Sequence, residues 1–179
     1  MRVRGFIALL GICFGLLGCG IKELPKMKAE ADQALKDVMV QYRLRADIVP
    51  QLLKLVEGRK DAVWAKQIPN MVQAHRQAVG IDIPPEQLDE IQINRMISFQ
   101  TALSTALVDF NAALEADKKI NRGEHAAVKE QLSRAESRIA AARSRYQELA
   151  PHFNESLNQP PQKWWNQWFH KLKPALLLP

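Results

Sequence analysis

The stretch VKEQLSRAESRIAAARSRYQELAPHF, residues 128–153, decides the fold because its apolar residues recur at alternating intervals of four and three. Those intervals place the apolar side chains on one stripe of an α-helix, whereas a half-buried strand alternates every second residue. The stripe consists of Val128, Leu132, Ala135, Ile139, Ala142, Tyr146, Leu149 and Phe153. Pro151, near the end of the stretch, predicts a kink or an early end of the helix. A helix with one apolar stripe needs other elements that cover it.

Three upstream segments carry the same spacing, so each is predicted to be a helix. Pro50 and Pro69 predict a break or a bend in the first two segments. Gly58, residues 81–85 and residues 121–123 predict the connections. The three stripes consist of Ala31, Leu35, Val38, Tyr42, Val49, Leu52 and Val56; of Trp64, Ile68, either Met71 or Val72, and Val79; and of Ile93, Met96, Leu103, Leu107, Phe110 and Leu114.

Long amphipathic segments joined by short connections pack as antiparallel neighbours. The third segment is expected from about Glu86 to Lys119 and has Gln100 as a polar residue on its stripe. Because no segment alternates every second residue, no sheet is predicted. The predicted fold is therefore all-α, an antiparallel up-and-down bundle of three to four long helices.

The first eighteen residues have the pattern of an export signal. Arg2 and Arg4 precede an apolar run from Phe6 to Leu17, and residues 16–19, Leu-Leu-Gly-Cys, form a lipobox. In bacterial lipoproteins the cysteine of this motif receives a diacylglyceryl group and becomes the mature amino terminus. Residues 1–18 are therefore the predicted signal peptide, and Cys19 is the predicted site of lipidation.

An uncleaved signal anchor is the alternative to lipidation. Residues 5–18 would form a helix of roughly 21 Å, which is shorter than the hydrocarbon core of about 30 Å, so lipidation is favoured. Two or three acyl chains hold a protein durably on a bilayer. Gly20 rather than aspartate follows the cysteine. The predicted location is the cell envelope, on the periplasmic side of the outer membrane in a Gram-negative host.

The rest of the chain is predicted to form a tether, a bundle and a tail, over residues 19–25, 26–158 and 159–179. The tail combines aromatic with basic residues, a pattern typical of a membrane interface or of a surface for a partner. The alternative, which the sequence does not separate from the first, is that the tryptophans pack over the open end of the bundle. The residues expected to make these contacts are Trp164, Trp165, Trp168, Phe169 and Lys171.

Two blocks of the chain resemble the LemA family. Residues 41–52, QYRLRADIVPQL, are similar to the family's Arg-Arg-x-Asp-Leu-Ile-Pro-x-Leu stretch. Residues 136–146, ESRIAAARSRY, together with Asn154 and Pro160, resemble the family's closing helix. The resemblance covers roughly residues 26–161 and is that of a divergent member. It implies a helical bundle on the outer side of the cytoplasmic membrane or beyond, in a family without an established catalytic activity.

Five charged residues of these two blocks are candidates for a polar network between the first and last helices. They are Arg45, Asp47, Glu136, Arg138 and Arg143. Arg45 lies on the apolar stripe, and a desolvated guanidinium needs a carboxylate. We therefore predict that Arg45 pairs with a carboxylate of another helix. A network that fixes the helix register is favoured over a polar groove that binds a charged group of a partner.

The sequence offers no recognisable catalytic, cofactor or metal site. None of the four histidines has a partner at a metal-ligand spacing, and the chain has neither a glycine-rich phosphate loop nor a Gly-x-Ser-x-Gly motif. No cofactor and no small-molecule substrate are therefore predicted. The net charge of +6 falls to about +4 without the arginines of the leader, and the remaining charges are interspersed, so no nucleic-acid partner is predicted.

The leading interpretation is a non-catalytic envelope lipoprotein, a scaffold or adaptor on a membrane. It would present a helix face or the aromatic tail to an envelope protein or to lipid. A peripheral lipid-binding or membrane-remodelling protein is the alternative, and an enzyme with an unrecognised site is the third interpretation.

Overall fold

The computed structural model describes residues 23–81, 83–84 and 87–178. The predicted signal peptide, Cys19 and the first part of the predicted tether lie outside the described residues. Within those three ranges every regular element is a helix and there is no strand. The all-α prediction is confirmed.

The first predicted segment forms two helices, α1 (Glu23–Ala46) and α2 (Val49–Lys54). Residues 23–25, predicted as tether, are the first turn of α1. The helix breaks before Pro50, which lies in the first turn of α2. A proline is tolerated there because it lacks only an N–H that would have no partner in the helix. Gly58 follows with a φ of 76°, which favours glycine.

Helix α3 (Ala62–Val79) begins at Asp61, whose side chain accepts the backbone N–H of Trp64 at 3.3 Å. Pro69 lies inside α3 and does not divide it. Helix α4 (Glu90–Ala116) begins later than predicted, because Asp89 and Gln92 form a reciprocal capping box.

Helix α5 (Arg122–Asn158) is the longest, with 37 residues. The side chain of Asn121 accepts the backbone N–H of Gly123 at 3.0 Å and therefore caps its first turn. Pro151 lies inside the helix and does not end it. The chain continues as the short helix α6 (Gln162–Trp165) and a π-helical turn over Asn166–His170.

Close contacts divide the chain into two units. The larger unit is Leu35–Ser144, and the smaller unit combines the described residues up to Ala34 with those from Arg145 onward. Helices α1 and α5 contribute residues to both units.

Within the larger unit, neighbouring helices run antiparallel, as predicted. Trp64 at the start of α3 packs on Phe110 near the end of α4, with ring centroids 5.2 Å apart. Gln100, earlier in α4, donates a hydrogen bond to the carbonyl oxygen of Ala78 at the end of α3. The core of this unit is built from the predicted stripes, including Val49, Leu52, Val56, Trp64, Met71, Leu103, Leu107, Phe110, Leu114, Val128, Leu132 and Ala135.

None of the described helices is long enough and apolar enough to span a bilayer.

Candidate functional site

Arg45 is the most deeply buried charged side chain of the described residues, with 2% of its surface exposed. Its Nη1 donates to Glu136 Oε1 at 2.7 Å and to Ser104 Oγ at 2.8 Å. Its Nη2 donates to the side-chain oxygen of Gln100 at 2.7 Å and to the carbonyl oxygen of the same residue at 3.1 Å. The ion pair predicted for Arg45 is therefore present, and it joins α1 to α5.

Gln100 and Ser104 are partners of Arg45 that sequence reasoning did not assign. Gln100 is the polar residue on the α4 stripe, and its side chain is buried. A buried guanidinium needs several acceptors, and one carboxylate supplies only part of them. The signal was available, because polar residues that interrupt two apolar stripes are expected to face each other when the stripes pack.

Beside Arg45 lies a cleft of about 120 Å³, here called the arginine cleft. It is lined by Tyr42, Arg45, Ile97, Gln100, Thr101, Ser104, Glu136, Ile139 and Arg143. The guanidinium of Arg45 lies 5.7 Å from the centre of the Tyr42 ring, and Arg143 donates to the Tyr42 hydroxyl at 3.2 Å. Two guanidinium groups face one carboxylate, so the cleft carries a net positive charge.

Ser104 and Glu136 of the arginine cleft are engaged with Arg45, whose own Nε is buried without a hydrogen-bond partner among the described residues. Ser104 Oγ accepts from Arg45 and donates to the carbonyl oxygen of Gln100 at 3.0 Å, so its proton is directed to a backbone carbonyl. Glu136 is the carboxylate of the ion pair with Arg45. This arrangement fixes the register of α1, α4 and α5 within the larger unit.

Asp47 and Arg138 belong to the predicted network but do not line the arginine cleft. Both side chains are exposed. Arg138 follows Glu136 by two residues, which places it on a different face of α5. Asp47 lies at the break between α1 and α2. The network that the structure forms is therefore smaller than the predicted one, and it contains Arg45, Glu136 and Arg143.

In the smaller unit, the end of the chain is bound along α5. The side-chain amide of Asn154 forms two hydrogen bonds with the backbone of Ala175. The hydroxyl of Tyr146 donates to the carbonyl oxygen of Leu176. Ala175 and Leu178 are buried. Two residues of the family-like closing helix, Tyr146 and Asn154, thus hold the tail in place.

The turn that precedes this bound segment exposes large aromatic side chains. Trp164 is 50% exposed, Trp168 65% and Phe169 64%. Trp165 is half-buried, and its ring lies 5.6 Å from that of Phe169. We call Trp164, Trp168 and Phe169 the aromatic surface. At least half of the surface of Trp164 and of Trp168 is therefore accessible to solvent.

The side chain of Asn166 fixes the path of the chain after the aromatic surface. Its oxygen accepts the backbone N–H of Leu172 at 2.7 Å, and its nitrogen donates to the carbonyl oxygen of the same residue at 3.1 Å. Lys171, which lies between Asn166 and Leu172, has a left-handed backbone with a φ of 51°. These hydrogen bonds therefore fix the backbone turn that carries the aromatic surface.

Among residues 23–81, 83–84 and 87–178, no three His, Cys, Asp or Glu side chains cluster in a way that could hold a metal ion. His125 is buried and its Nε2 lies 3.1 Å from Asn111 Oδ1. Burial lowers the pKa of His125, and the carboxylate of Glu115 partly opposes this effect. This histidine, in the first turn of α5, contacts α4 within the larger unit.

Asp117 is a second charged centre of the larger unit that the sequence did not reveal. The backbone N–H of Lys119 and the indole N–H of Trp64 donate to its carboxylate and hold its pKa below the usual value. Arg59 also contacts this carboxylate. The cluster joins the start of α3 to the end of α4 and gives the buried Trp64 a hydrogen-bond acceptor.

A family model described as the LemA family matches residues 34–177. The match includes both blocks that resemble the family and extends through the aromatic surface and the segment bound by Asn154. No curated protein and no solved structure matches the chain.

Proposed function

Because the chain belongs to the LemA family, we propose that it is a non-catalytic envelope lipoprotein, held on a membrane through lipidated Cys19. Its helical bundle acts as a scaffold or adaptor and presents the aromatic surface to a partner. The observation that carries this proposal is the exposure of Trp164, Trp168 and Phe169 on a turn that the smaller unit holds in place.

Exposed aromatic rings on a fixed turn support a contact function. A soluble surface rarely displays several large aromatic side chains together unless they meet another molecule. The hydrogen bonds made by Asn154 and Asn166 order the backbone on both sides of Lys171. Little further conformational entropy is therefore lost when the rings are buried by a partner.

The lipobox supports the anchor. Cys19 precedes the first residue of α1, Glu23, by four residues, so the bundle begins directly after the proposed lipid. The mature chain from Cys19 would carry no other cysteine, because Cys13 lies in the leader. In a Gram-negative host, Gly20 after the cysteine favours the outer membrane.

The arginine cleft supports a structural role for the bundle. Its carboxylate, Glu136, is committed to Arg45, and its hydroxyl, Ser104, lies between Arg45 and a carbonyl oxygen. General acid–base or nucleophilic catalysis needs a base within hydrogen-bond reach of a reactive group. Glu136 and Ser104 are instead hydrogen-bond partners of the Arg45 guanidinium.

The proposal is tested in the native host by mass spectrometry and site-specific photo-crosslinking. We expect a mature amino terminus at Cys19 that carries the mass of a diacylglyceryl group. A photo-reactive residue at Trp168 should form crosslinks that are lost with Cys19→Ala, while one at Val63, a similarly exposed residue of the larger unit at 53%, should form few. An intact leader with an unmodified Cys19 overturns the anchor, and equal crosslinking from both positions overturns the role of the aromatic surface.

A further inference from the structure

We propose that the aromatic surface binds the interface of a membrane that contains anionic phospholipids, which gives the chain a second attachment to the bilayer. This inference rests on the proposed function for the lipid anchor at Cys19. Beyond that function, it identifies the partner of the aromatic surface as lipid. It is carried by the exposure of the rings, the charge around them and the unit to which they belong.

The exposed rings have the chemistry of residues that lie at the headgroup level. Tryptophan combines a large apolar ring with an N–H that remains solvated, so it prefers the boundary between water and acyl chains. Trp164 and Trp168 are at least half exposed, and Phe169 adds a third ring at 64%. Leu177 on the bound segment is also 60% exposed. Since no described helix can span a bilayer, the expected contact is interfacial.

The charge of the tail distinguishes an anionic membrane from an apolar pocket of a protein. From residue 156 to the end, the sequence has three lysines and neither aspartate nor glutamate. Lys163, Lys171 and Lys173 are all exposed. Each lysine close to an anionic lipid surface increases binding by roughly fivefold. An apolar pocket of a protein that holds aromatic rings does not in general bind them more tightly because three lysines accompany the rings.

The proposed anchor is joined through a few residues to the same unit that carries the aromatic surface. The first described residue, Glu23, belongs to the smaller unit, as do all residues of the aromatic surface. Cys19 lies four residues earlier, a span of at most about 14 Å. A lipid on Cys19 therefore keeps the unit that carries the rings near the headgroups, and the second contact benefits from a high effective concentration.

The test uses the full chain isolated from host membranes and reconstituted into phosphatidylcholine vesicles with phosphatidylglycerol. The acyl chains carry bromine, which quenches tryptophan emission at short range. Two of the four tryptophans belong to the aromatic surface, so we expect about a twofold loss of emission relative to unbrominated vesicles. In Trp164→Gln/Trp168→Gln the loss should largely disappear, because the two exposed rings that contact lipid are gone. Of the two tryptophans that remain, Trp64 is buried in the larger unit and Trp165 is half-buried. Equal emission of the wild-type chain in both kinds of vesicle overturns the inference without any variant.

Charge reversal tests the requirement for anionic lipid. Lys163→Glu/Lys171→Glu/Lys173→Glu should abolish the quenching. The matched control, Lys60→Glu/Lys66→Glu/Lys118→Glu, has the same net charge, changes exposed lysines of the larger unit and should keep the quenching. Quenching that survives the tail reversal, or that is equal without phosphatidylglycerol, overturns the anionic lipid as partner. Circular dichroism of each variant verifies that the helices are intact.

Flotation separates a failure of the inference from a failure of the proposed function. A chain that does not float with the vesicles lacks the anchor, and mass spectrometry of Cys19 identifies that case. A chain that floats without quenching is anchored but does not use the aromatic surface on lipid, which contradicts the inference alone and leaves a protein as the partner of the rings.

Discussion

The side-chain amide of Asn154 hydrogen-bonds to both backbone polar groups of Ala175. Its oxygen accepts the N–H at 2.6 Å, and its nitrogen donates to the carbonyl oxygen at 2.8 Å. An asparagine side chain can satisfy a donor and an acceptor of one residue at once, which fixes an extended segment without a strand partner. Tyr146 holds the next carbonyl oxygen, that of Leu176. Together these two residues of α5 explain why the segment after the aromatic surface lies along this helix.

Loss of the Asn154 side chain should release this segment. In Asn154→Ala, the two polar groups of Ala175 lose their partner, and we expect a loss of about 1–3 kcal/mol in the free energy that holds the segment. Hydrogen exchange at the amide of Ala175 should accelerate, and trypsin should cleave faster after Lys171. The control is Asn158→Ala, since Asn158 donates only to the backbone of its own helix. Unchanged exchange at Ala175 in Asn154→Ala would contradict the assignment.

Alkaline pH should weaken the smaller unit through Tyr146. Burial, with a smaller contribution from the negative charge of Asp32, raises the pKa of Tyr146 to about 12. The unfolded chain ionises this group near pH 10, so its contribution is complete below about pH 10 and is lost as the pH rises to about 12. The loss should reach about 2–3 kcal/mol.

Denaturant unfolding at about pH 9 and about pH 11.5 measures this effect. The difference in unfolding free energy between the two values should be larger for the wild type than for Tyr146→Phe, which keeps the ring and cannot ionise. Other groups titrate alike in both proteins. An identical pH dependence in the two would show that Tyr146 ionises as freely in the folded chain as in the unfolded one.

The ion pair between Arg45 and Glu136 should contribute more to stability than an exposed ion pair within α5. Glu136→Ala removes an acceptor from a buried guanidinium, and we expect a loss of about 1–2 kcal/mol. Glu130→Ala removes only the exposed pair with Arg134, for which about 0.5 kcal/mol or less is expected. Thermal and denaturant unfolding measure both.

A second arm of this experiment uses Arg45→Met, which replaces the guanidinium with an apolar side chain. In that background Glu136→Ala should cost little, because no buried charge is left without its carboxylate. If Glu136→Ala were as costly in the Arg45→Met background as in the wild type, the stabilisation would come from packing of Glu136 and not from the pair.

Acidification should destabilise the larger unit through His125. Burial lowers the pKa of this histidine, so the unfolded chain binds a proton at a higher pH than the folded chain does. Stability should therefore fall as the pH drops below about 6.5, the ordinary value of histidine. In His125→Gln this part of the pH dependence should vanish, while His152→Gln, at an exposed position of the smaller unit, should retain it. Equal slopes in wild type and His125→Gln between about pH 7.5 and pH 5 would contradict it.

The three prolines show that the local sequence does not determine where a helix breaks. Pro50, Pro69 and Pro151 each predict a break or a bend, yet only Pro50 separates two helices, while Pro69 and Pro151 lie within α3 and α5. A proline inside a helix costs about 3 kcal/mol. That cost is offset when apolar residues on both sides are buried on the same stripe, as Met71 and Trp64 are around Pro69. The outcome therefore depends on packing that the local sequence does not specify.

The contacts of the candidate site were likewise predictable from the sequence only in part. The position of Arg45 on an apolar stripe was enough to predict a carboxylate partner, because an unpaired buried charge is too costly to persist. Which acceptors surround it, Glu136 together with Gln100 and Ser104, depends on the rotation and axial offset of three helices. Those offsets are set by many small packing contacts at once.

The sequence by itself determined the helices, the faces they bury and the need to neutralise Arg45, because each follows from the periodicity of a single segment. Tertiary structure alone decided that Asn154 and Tyr146 bind the end of the chain and that Trp164 and Trp168 stay exposed while Trp165 turns inward. Adjacent residues of like composition differ there because the chain folds back on α5. A backbone path of that kind is fixed by hydrogen bonds between distant residues.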